Sequence, residues 1–493
     1  MDTKAIRTKV LDLAVRGMLT RRRPDDGAAE DLLAQIQTEK QALIAAGRIK
    51  REKPLLEITE EEKPFEVPEQ WKWVRLGDYV EKVTDQVASG SFAALRENVV
   101  SKKTPDYAIM VKTADFSNGF TKNLTYTDKH GYEFLENSNL YGGELILSNV
   151  GSIGKCFIVP ELEYKMTLAP NAVMIRLTSN ELRDFLYYFI LSSYGQSELQ
   201  SITTGVAMQK FNKTELKTIL IPVPPLPEQL RIVANIDQIF TILDTIDALQ
   251  GQYQDNLATL KSKIIDAGIQ GKLTEQLPED GNAEELYQQI QREKLALEKA
   301  GKIKKSKPLP PISDEEKPFD LPDNWRWVSV GDACTNIQYG TSKKSSETGK
   351  VPVIRMGNLQ GGRIVYDKLA YTSDDSEIEK YPLEVNDLLF NRTNSMELVG
   401  KTAIYKGEMP AIYAGYLVRV TPVLMVSDYL NYVMQTKYYW DYCRMVRIDA
   451  NGQSNINAEK LKRFVFPLPP LAEQKRIVAK LEELLPLCEK GQS

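Results

Sequence analysis

Apolar residues recur at alternating spacings of four and three through a long stretch in the middle of the chain. The stretch runs from Leu226 to Leu273, with Pro227 at its start and Gln250 as a polar interruption. Proline fits the first turn of a helix, and the spacing is that of a coiled-coil seam. The pattern predicts one helix of about 70 Å, with its seam at Ile232, Ile236, Ile239, Leu243, Ile246, Leu257, Leu260 and Ile264.

A helix of this length cannot bury an apolar stripe by itself, so it needs an equally long partner. The chain ends carry fragments of the same seam: Ile477, Leu481, Leu484 and Cys488 repeat its first half, and Ile6, Val10, Leu13 and Gly17 its second half. We expect an antiparallel pair of long helices with pseudo-two-fold symmetry and the termini near its middle. The alternative is a single long helix that braces a core.

Two blocks of sequence occur twice, which is the mark of an internal duplication. Residues 24–78 align without a gap with residues 278–332, at an offset of 254 and with 32 identities in 55 positions. Pro222–Gln229 recurs as Pro467–Gln474 at an offset of 245. The segments between the blocks do not align over their length; they are the first insert (residues 79–215) and the second insert (residues 333–460). The sequence therefore predicts a duplicated scaffold that carries two divergent inserts.

Each copy of the first block predicts a helix and an extended connector. The helices, residues 28–47 and 282–301, are each expected to stop at a glycine. The connectors end in Trp-x-Trp, at residues 71–73 and 325–327, and we expect these rings in a core rather than as base-stacking platforms.

Both inserts mix short strands and helices. Residues 143–160 and 387–405 each predict two strands around a turn, and residues 353–362 predict a strand that leads into a turn. Amide-rich loops follow at residues 208–212 and 451–457. The predicted fold class is α+β, with two globular mixed α/β domains separated by long antiparallel coiled-coil helices.

Composition limits the chemistry. The chain has one histidine, His130, and four scattered cysteines without a CxxC pair, so no metal site is predicted and a reducing cytoplasm is expected. No apolar run is long enough to span a membrane. The formal net charge of −4 gives no bulk signal for nucleic acid, so DNA binding would need local patches or the help of a partner.

The sequence lacks the common catalytic motifs. It contains no GxxxxGK[ST] loop and no Asn-Pro-Pro-Phe or Asp-Pro-Pro-Tyr string of the amino-methyltransferases. A nuclease-like Glu-x-Lys occurs at residues 61–63 and 315–317, but both copies lie in charged connectors. These features favour a recognition and assembly subunit over a catalyst. Arg, Asn and Gln side chains on loops can read base edges, and loop lysines suit phosphates, although amide-rich loops are commonly plain turns.

The repeated Pro-x-Pro-Pro-Leu-x-Glu-Gln entries to long helices, the two inserts, and the phrases at residues 388–395 and 151–155 resemble a known family. It is the DNA-specificity (HsdS) subunit of type I restriction–modification systems, and the resemblance covers essentially the whole chain. It implies an N-terminal conserved helical region and linker (1–70), a first target-recognition domain (71–222), a central conserved region (223–324), a second target-recognition domain (325–467) and a C-terminal conserved helix (468–493).

The resemblance implies a non-catalytic subunit. Each recognition domain would read one half of an asymmetric bipartite target in double-stranded DNA, and the helices would set the spacing. Two modification subunits would dock on the scaffold, supply S-adenosylmethionine and methylate a flipped adenine at N6. Restriction subunits would add cleavage that depends on ATP and Mg. No cofactor is expected on this chain, and no membrane partner is implied.

Matching positions give a set of hypothetical DNA-binding residues. In the first insert they are Lys112, Ser148, Asn149, Ser152, Lys155, Gln209 and Lys210, and in the second Arg355, Asn358, Asn391, Arg392, Asn394, Ser395, Gln453 and Asn455. Two other classes of function stay open. A stand-alone scaffold of another defence system would bind DNA without a methyltransferase partner, and a protein–protein scaffold would show no salt-dependent affinity for DNA.

Overall fold

A computed structural model describes residues 1–151, 153–205, 209–305, 307–450 and 452–489. The chain divides into two compact units, Met1–Leu249 and Gln250–Ser493. Each unit holds one copy of the scaffold and one insert.

The first unit begins with two scaffold helices and continues into the first insert. Its helices are α1 (Thr3–Val15), α2 (Ala29–Ala45), α3 (Leu76–Tyr79), α4 (Phe92–Asn98), α5 (Lys129–Phe134), α6 (Asn180–Leu191), α7 (Ser193–Ser201), α8 (Lys213–Leu216) and the start of α9 (Leu226–Ile269). Its strands are β1 (Lys72–Arg75), β2 (Lys82–Asp85), β3 (Ala108–Val111), β4 (Tyr126–Thr127), β5 (Asn139–Leu140), β6 (Leu145–Ser148), β7 (Cys156–Ile158), β8 (Lys165–Leu168), β9 (Ala172–Arg176) and β10 (Leu220–Val223).

Helix α1 lies antiparallel to the first half of α9, as the apolar pattern predicts. Arg7 forms ion pairs with Asp244 and Asp247, while the hydroxyl of Thr20, just after α1, reaches Glu228 near the start of α9. The buried residues of the two helices belong to one apolar core, which includes Val10, Leu11, Ala14, Ile232 and Ile236. In this unit the seam is therefore a helix–helix contact.

The two repeated blocks meet in one antiparallel strand pair. Strand β1 pairs with β10, so that Trp73 lies opposite Pro222. Trp71 is buried, and its indole N–H donates to the Glu228 carboxylate at 2.8 Å. The prediction that these tryptophans belong to a core is confirmed, and the pairing explains why both blocks flank each insert.

Two four-stranded sheets form the first insert. Their strand orders are β2-β9-β6-β7, which is antiparallel, and β4-β3-β8-β5, in which β3 and β8 run parallel. Side chains from both sheets, including Ile109, Ile146, Met166 and Met174, share one core. The predicted strand pair of residues 143–160 is confirmed as β6 and β7.

The second unit continues α9 and repeats the plan. Its other helices are α10 (Ala283–Lys299), α11 (Val330–Ala333), α12 (Asp375–Lys380), α13 (Ser427–Val433), α14 (Lys437–Val446), α15 (Ala458–Lys462) and α16 (Leu471–Glu489). Its strands are β11 (Arg326–Ser329), β12 (Cys334–Tyr339), β13 (Val351–Ile354), β14 (Leu359–Gln360), β15 (Gly362–Ile364), β16 (Ala370–Thr372), β17 (Leu388–Asn391), β18 (Thr393–Asn394), β19 (Thr402–Ile404), β20 (Ile412–Tyr413), β21 (Leu417–Pro422), β22 (Ile448–Ala450), β23 (Gln453–Asn455) and β24 (Val465–Leu468).

The scaffold contacts of the second unit match those of the first. Helix α16 lies antiparallel to the end of α9, with Lys261 paired to Glu489 and the hydroxyl of Thr274 bonded to Glu473. Strand β11 pairs with β24, and the indole of Trp325 donates to Glu473 at 2.7 Å. The mixed α/β fold class and the helical contacts within each unit are thus as predicted.

The second insert is built on a six-stranded sheet of order β12-β21-β17-β19-β15-β14. A three-stranded sheet of order β16-β13-β20 shares a core with it through Ile354, Leu389 and Tyr413. A further small sheet, β18-β23-β22, lies at the end of β17. The predicted strand pair of residues 387–405 is confirmed as β17 and β19, and the strand of residues 353–362 as β13.

Two details of the predicted long helix are wrong. The helix ends at Ile269 rather than Leu273, because Gly271 takes a φ of +69° and a side chain there would strike Pro322. Leu260, placed in the seam, is 47% exposed, whereas Ile265 and Ile269 are buried. Leu260 precedes Ile265 by five residues, which places it about 140° around the helix from the face that carries Ile265 and Ile269. Among the described residues, no helix has the length and hydrophobicity to cross a membrane.

Candidate nucleic-acid interface

In the first insert, the turn after β6 meets residues 209–212, the described part of the predicted amide-rich loop. Val150 forms a β-bridge with Lys210, and the backbone N–H of Gly151 donates to the carbonyl of Gln209 at 3.3 Å. The side chains of Lys155, Gln209 and Lys210 are exposed. The fold therefore brings predicted residues from two distant stretches to one surface. Ser152, also predicted here, lies outside the described residues.

The other two predicted residues of this turn have structural partners. Ser148 is 3% exposed, and its hydroxyl donates to the carbonyl of Val150. The amide nitrogen of Asn149 donates to the carbonyl of Phe211 at 3.2 Å, which ties the turn to the chain after the loop. The side-chain oxygen of Asn149 is buried without a hydrogen-bond partner. In this conformation both side chains shape the turn.

Lys112 lies elsewhere, at the end of β3 in the other sheet. Its ammonium group donates to the hydroxyl oxygen of Thr125 at 2.7 Å, and Lys103 donates to the same oxygen at 3.4 Å. Neither lysine has an ion pair with a carboxylate in the described part of the chain. Two positive charges around one neutral oxygen are suited to a phosphate.

The second insert brings its two predicted loops together as strands. Thr393 of β18 pairs with Asn455 of β23, and Asn394 with Ser454. Arg392 joins this sheet to β12: its guanidinium donates to the Asn455 side-chain oxygen at 3.3 Å and stacks on the ring of Tyr339, with 4.6 Å from Cζ to the ring centroid.

The residues near Arg392 differ in how many of their polar groups form hydrogen bonds within the protein. Asn391 is fully buried, and its amide nitrogen has no hydrogen-bond partner, while its oxygen accepts from the backbone N–H of Thr393. The Asn394 side chain accepts from the N–H of Ser395 at 2.8 Å. Gln453 is exposed. Among these residues, Gln453 and the half-buried Asn394 and Ser395 offer polar atoms toward solvent.

Arg355 and Asn358 lie in the turn after β13. Asn358 is 4% exposed, and its amide forms hydrogen bonds to the backbone of Arg355, Val365 and Asp367. All of its capacity to read a base is therefore used within the protein, so in this conformation Asn358 shapes the loop. Arg355 donates to the carbonyl of Lys368 at 2.7 Å and keeps an exposed face.

A buried acid stands at the start of each central strand. Glu144, before β6, accepts from Arg176 at 2.9 Å, and Asp387, before β17, accepts from the Thr421 hydroxyl at 2.5 Å. Burial raises the pKa of the Asp387 carboxyl, although Thr421 and Arg419 oppose that shift. These acids fix the strands whose far ends carry the predicted turns.

The sequence analysis missed four residues whose side chains contact the predicted ones or share their hydrogen-bond partners. They are Lys103, Thr125, Tyr339 and Thr393. Tyr339 is far from Arg392 in sequence and reaches it only because β12 pairs with β21, which in turn pairs with β17. A local sequence pattern carries no signal of that kind.

Comparison with known proteins identifies the family. The family model described as "Type I restriction modification DNA specificity domain" matches residues 68–252 and 322–491. The chain belongs to the type I restriction–modification DNA-specificity family. It is 30% identical to the type I restriction enzyme EcoAI specificity subunit of Escherichia coli, over 99% of this chain and 90% of that protein. It is 28% identical to the EcoEI specificity subunit of the same species, with the same coverage.

A solved structure from a study of assembly and conformational transition of the type I R-M system has a similar fold. Its TM-score is 0.57 at 19% identity, over 87% of this chain and 93% of that one. That likeness concerns the fold. The family model and the relative at 30% identity identify the chain as a DNA-sequence-recognition subunit of a type I system, and the two matched segments contain the first and second inserts. Specificity subunits are themselves non-catalytic and work with methyltransferase and restriction subunits.

Proposed function

We propose that this chain reads an asymmetric bipartite DNA target, with one insert on each half-site. One observation carries the proposal. In each insert a turn follows a fully buried strand, β6 in the first and β17 in the second, but the side chains at the two turns differ. The first offers Lys155, Gln209 and Lys210, and the second offers Arg392 and Gln453. Different donors and acceptors select different bases, so the two half-sites differ.

The duplicated scaffold supports the proposed partners. Two modification subunits dock on it, one for each copy, and restriction subunits join the assembly. The partners supply S-adenosylmethionine, ATP and Mg, and this chain binds none of them. The assembled complex methylates adenine at N6 and cleaves DNA with ATP in the cytoplasm, where the target DNA lies.

The test is the adenine methylome of cells that express this chain with its modification subunit. One new bipartite, asymmetric methylated motif, absent without this chain, supports the proposal. The matched control expresses the modification subunit alone. If the purified complex forms but no new motif appears, methylation is not directed by this chain, and a stand-alone DNA-binding scaffold becomes the better explanation.

A second measurement separates DNA recognition from protein recognition. Affinity for double-stranded DNA should fall steeply with salt, because bound lysines and arginines release counterions from the phosphates. The motif found in the methylome should bind more tightly than a scrambled duplex of the same length and composition. Equal, salt-independent binding of both duplexes would contradict the proposal.

A further inference from the structure

We infer that Tyr339 and Asn455 hold Arg392 as a guanine reader, so that the second half-site requires a G·C pair at the position this side chain faces. The inference rests on the proposed function and deepens it, because it assigns one base and two positioning residues.

The guanidinium of Arg392 is held on two sides. The Tyr339 ring lies against its face, with 4.6 Å from Cζ to the centroid, and the Asn455 oxygen accepts from Nη2 at 3.3 Å. Asn455 is itself oriented, because its amide nitrogen donates to the Thr393 hydroxyl at 2.9 Å. The amide oxygen therefore has to point toward Arg392, and the guanidinium has a defined plane.

Tyr339 is a firm support for that plane. Its hydroxyl oxygen accepts from the backbone N–H of Ala458 at 3.1 Å, which ties the ring to the start of α15. The next residue, Gly340, packs so closely on the backbone of Tyr413 that a Cβ would lie 2.1 Å from its carbonyl oxygen. The backbone of β12 is therefore packed directly against β20 at the residue that follows Tyr339.

The charge of Arg392 is unused within the described part of the chain. No carboxylate lies in ion-pair distance of its guanidinium, and Nη1 makes no hydrogen bond. Nε is buried without a partner, so the donors left for a ligand are on the two terminal nitrogens. A planar pair of donors matches the O6 and N7 acceptors of guanine in the major groove, whereas adenine places an amino group at one of those two positions.

The surroundings favour a base over a phosphate. Arg392 is half-buried and directly precedes β18, which carries Asn394 and pairs with β23, the strand that carries Gln453. Asn and Gln are side chains of the base-reading type. Phosphate contacts suit exposed lysines such as Lys155. If Arg392 contacted a phosphate instead, replacing it would weaken the affinity equally for every DNA sequence.

The experiment uses the complex of the full chain with its modification subunit and a set of duplexes in which each base pair of the methylated motif is replaced in turn. Arg392→Ala should reduce the preference for one G·C pair of the second half-site by about tenfold or more. Tyr339→Leu should relax the same base pair, while the first half-site keeps its preferences. Tyr339→Phe is the matched control, because it keeps the ring and should keep most of the preference.

The double variant Arg392→Ala/Tyr339→Leu distinguishes positioning from general damage. If Tyr339 acts through Arg392, the double variant is no less selective than Arg392→Ala alone. Asn455→Ser gives a second approach that leaves the ring in place, and it should relax the same base pair. Thermal melting of each complex identifies a variant that fails to fold.

Three results would overturn the inference. Arg392→Ala could weaken all duplexes equally, which would make it a phosphate contact. It could relax a position that is not G·C. Tyr339→Leu and Asn455→Ser could both leave the relaxed base pair unchanged, which would remove their positioning role. A wild-type complex with no sequence preference would instead overturn the proposed function itself.

Discussion

Asn149 in the first insert and Arg392 in the second occupy equivalent places in the backbone. The backbone N–H of each donates to the carbonyl of the residue just before the neighbouring strand of its sheet. Asn149 donates to Asn171, before β9, at 3.4 Å, and Arg392 donates to Tyr416, before β21, at 3.1 Å. The carbonyl of each accepts from the chain just before the final scaffold strand, at 3.3 Å and 2.9 Å respectively. Each insert therefore contains the same pattern of backbone hydrogen bonds, although the two sequences do not align.

The side chains at these two positions differ in kind. The amide of Asn149 is used within the turn, on the carbonyl of Phe211, whereas the guanidinium of Arg392 is only partly used and keeps donors for a ligand. An equivalent backbone position thus shapes a loop in one insert and serves a proposed contact in the other. Equivalent position in a duplicated fold is a poor guide to function without the hydrogen bonds.

The largest expected effect is on stability, and it concerns a scaffold contact that both units share. Glu228 and Glu473 are fully buried, and each accepts from a tryptophan indole and a threonine hydroxyl. Glu228→Ala should lower the free energy of unfolding of the first unit by about 3 kcal/mol, since it leaves buried donors unpaired. Glu473→Ala should do the same to the second unit.

Hydrogen exchange resolved by residue is the suitable measurement, because a chain of two units need not unfold in one step. Each alanine variant should speed exchange mainly in its own unit. Glu228→Gln is the milder control, as it keeps one acceptor oxygen. Equal acceleration in both units from either variant would mean that the two scaffolds do not unfold separately.

The next prediction tests the difference between the inserts directly. Asn149→Ala should destabilise the turn by about 1 kcal/mol, through loss of the bond to Phe211, and leave the base preferences of the first half-site intact. Binding to duplexes with single base-pair changes checks this. A selective loss at one base pair would show that the Asn149 amide leaves Phe211 and reads DNA.

The scaffold was largely predictable from the sequence, because duplication shows the same contact twice. The helix pairs, the ends of α2 and α10 near glycines, and the burial of Trp71 and Trp325 all follow from repeated apolar and turn residues. Periodicity alone failed at Leu260, since the face that α9 buries in the second unit carries Ile265 and Ile269 and not Leu260.

The candidate site was predictable only in part. Loop composition pointed to the residues around Asn149 and Arg392, and the fold does bring each pair of loops together. Composition could not tell that Asn358 is used by its own loop, because its three partners are backbone groups. Tyr339 was missed for the opposite reason, since only the sheet order places it under Arg392.

The ionisation of two carboxylates in the second unit should change stability in opposite directions. The hydrogen bond from Arg476 lowers the pKa of Asp280, so its contribution to stability is present above the unfolded value of 3.8 and is lost as pH falls through the folded pKa. Burial raises the pKa of Asp387, so its ionisation costs stability as pH rises from 3.8 through the folded pKa.

The measurement is the free energy of unfolding of Asp280→Asn and Asp387→Asn between pH 3 and pH 7. Asp280→Asn should lose about 1 kcal/mol at neutral pH and converge with the parent in acid. Asp387→Asn should instead flatten the loss of stability that the parent shows as pH rises. Asp26→Asn, the first-unit counterpart of Asp280, should behave as Asp280→Asn does. A common sign for Asp280 and Asp387 would contradict these assignments.

The smallest effect concerns the phosphate contacts proposed for the first insert. Lys112 and Lys103 share the Thr125 hydroxyl, and neither pairs with a carboxylate among the described residues, so their charges remain available to DNA. Lys112→Ala should weaken binding for all sequences and reduce the slope of log affinity against log salt by about 1. Lys102→Ala is the matched control, because its ammonium already pairs with Asp106 at 2.6 Å and its loss should leave the slope nearly unchanged. If Lys112→Ala changes the preference for one base pair instead, this lysine reads a base, and the first insert has a counterpart of Arg392 in its other sheet.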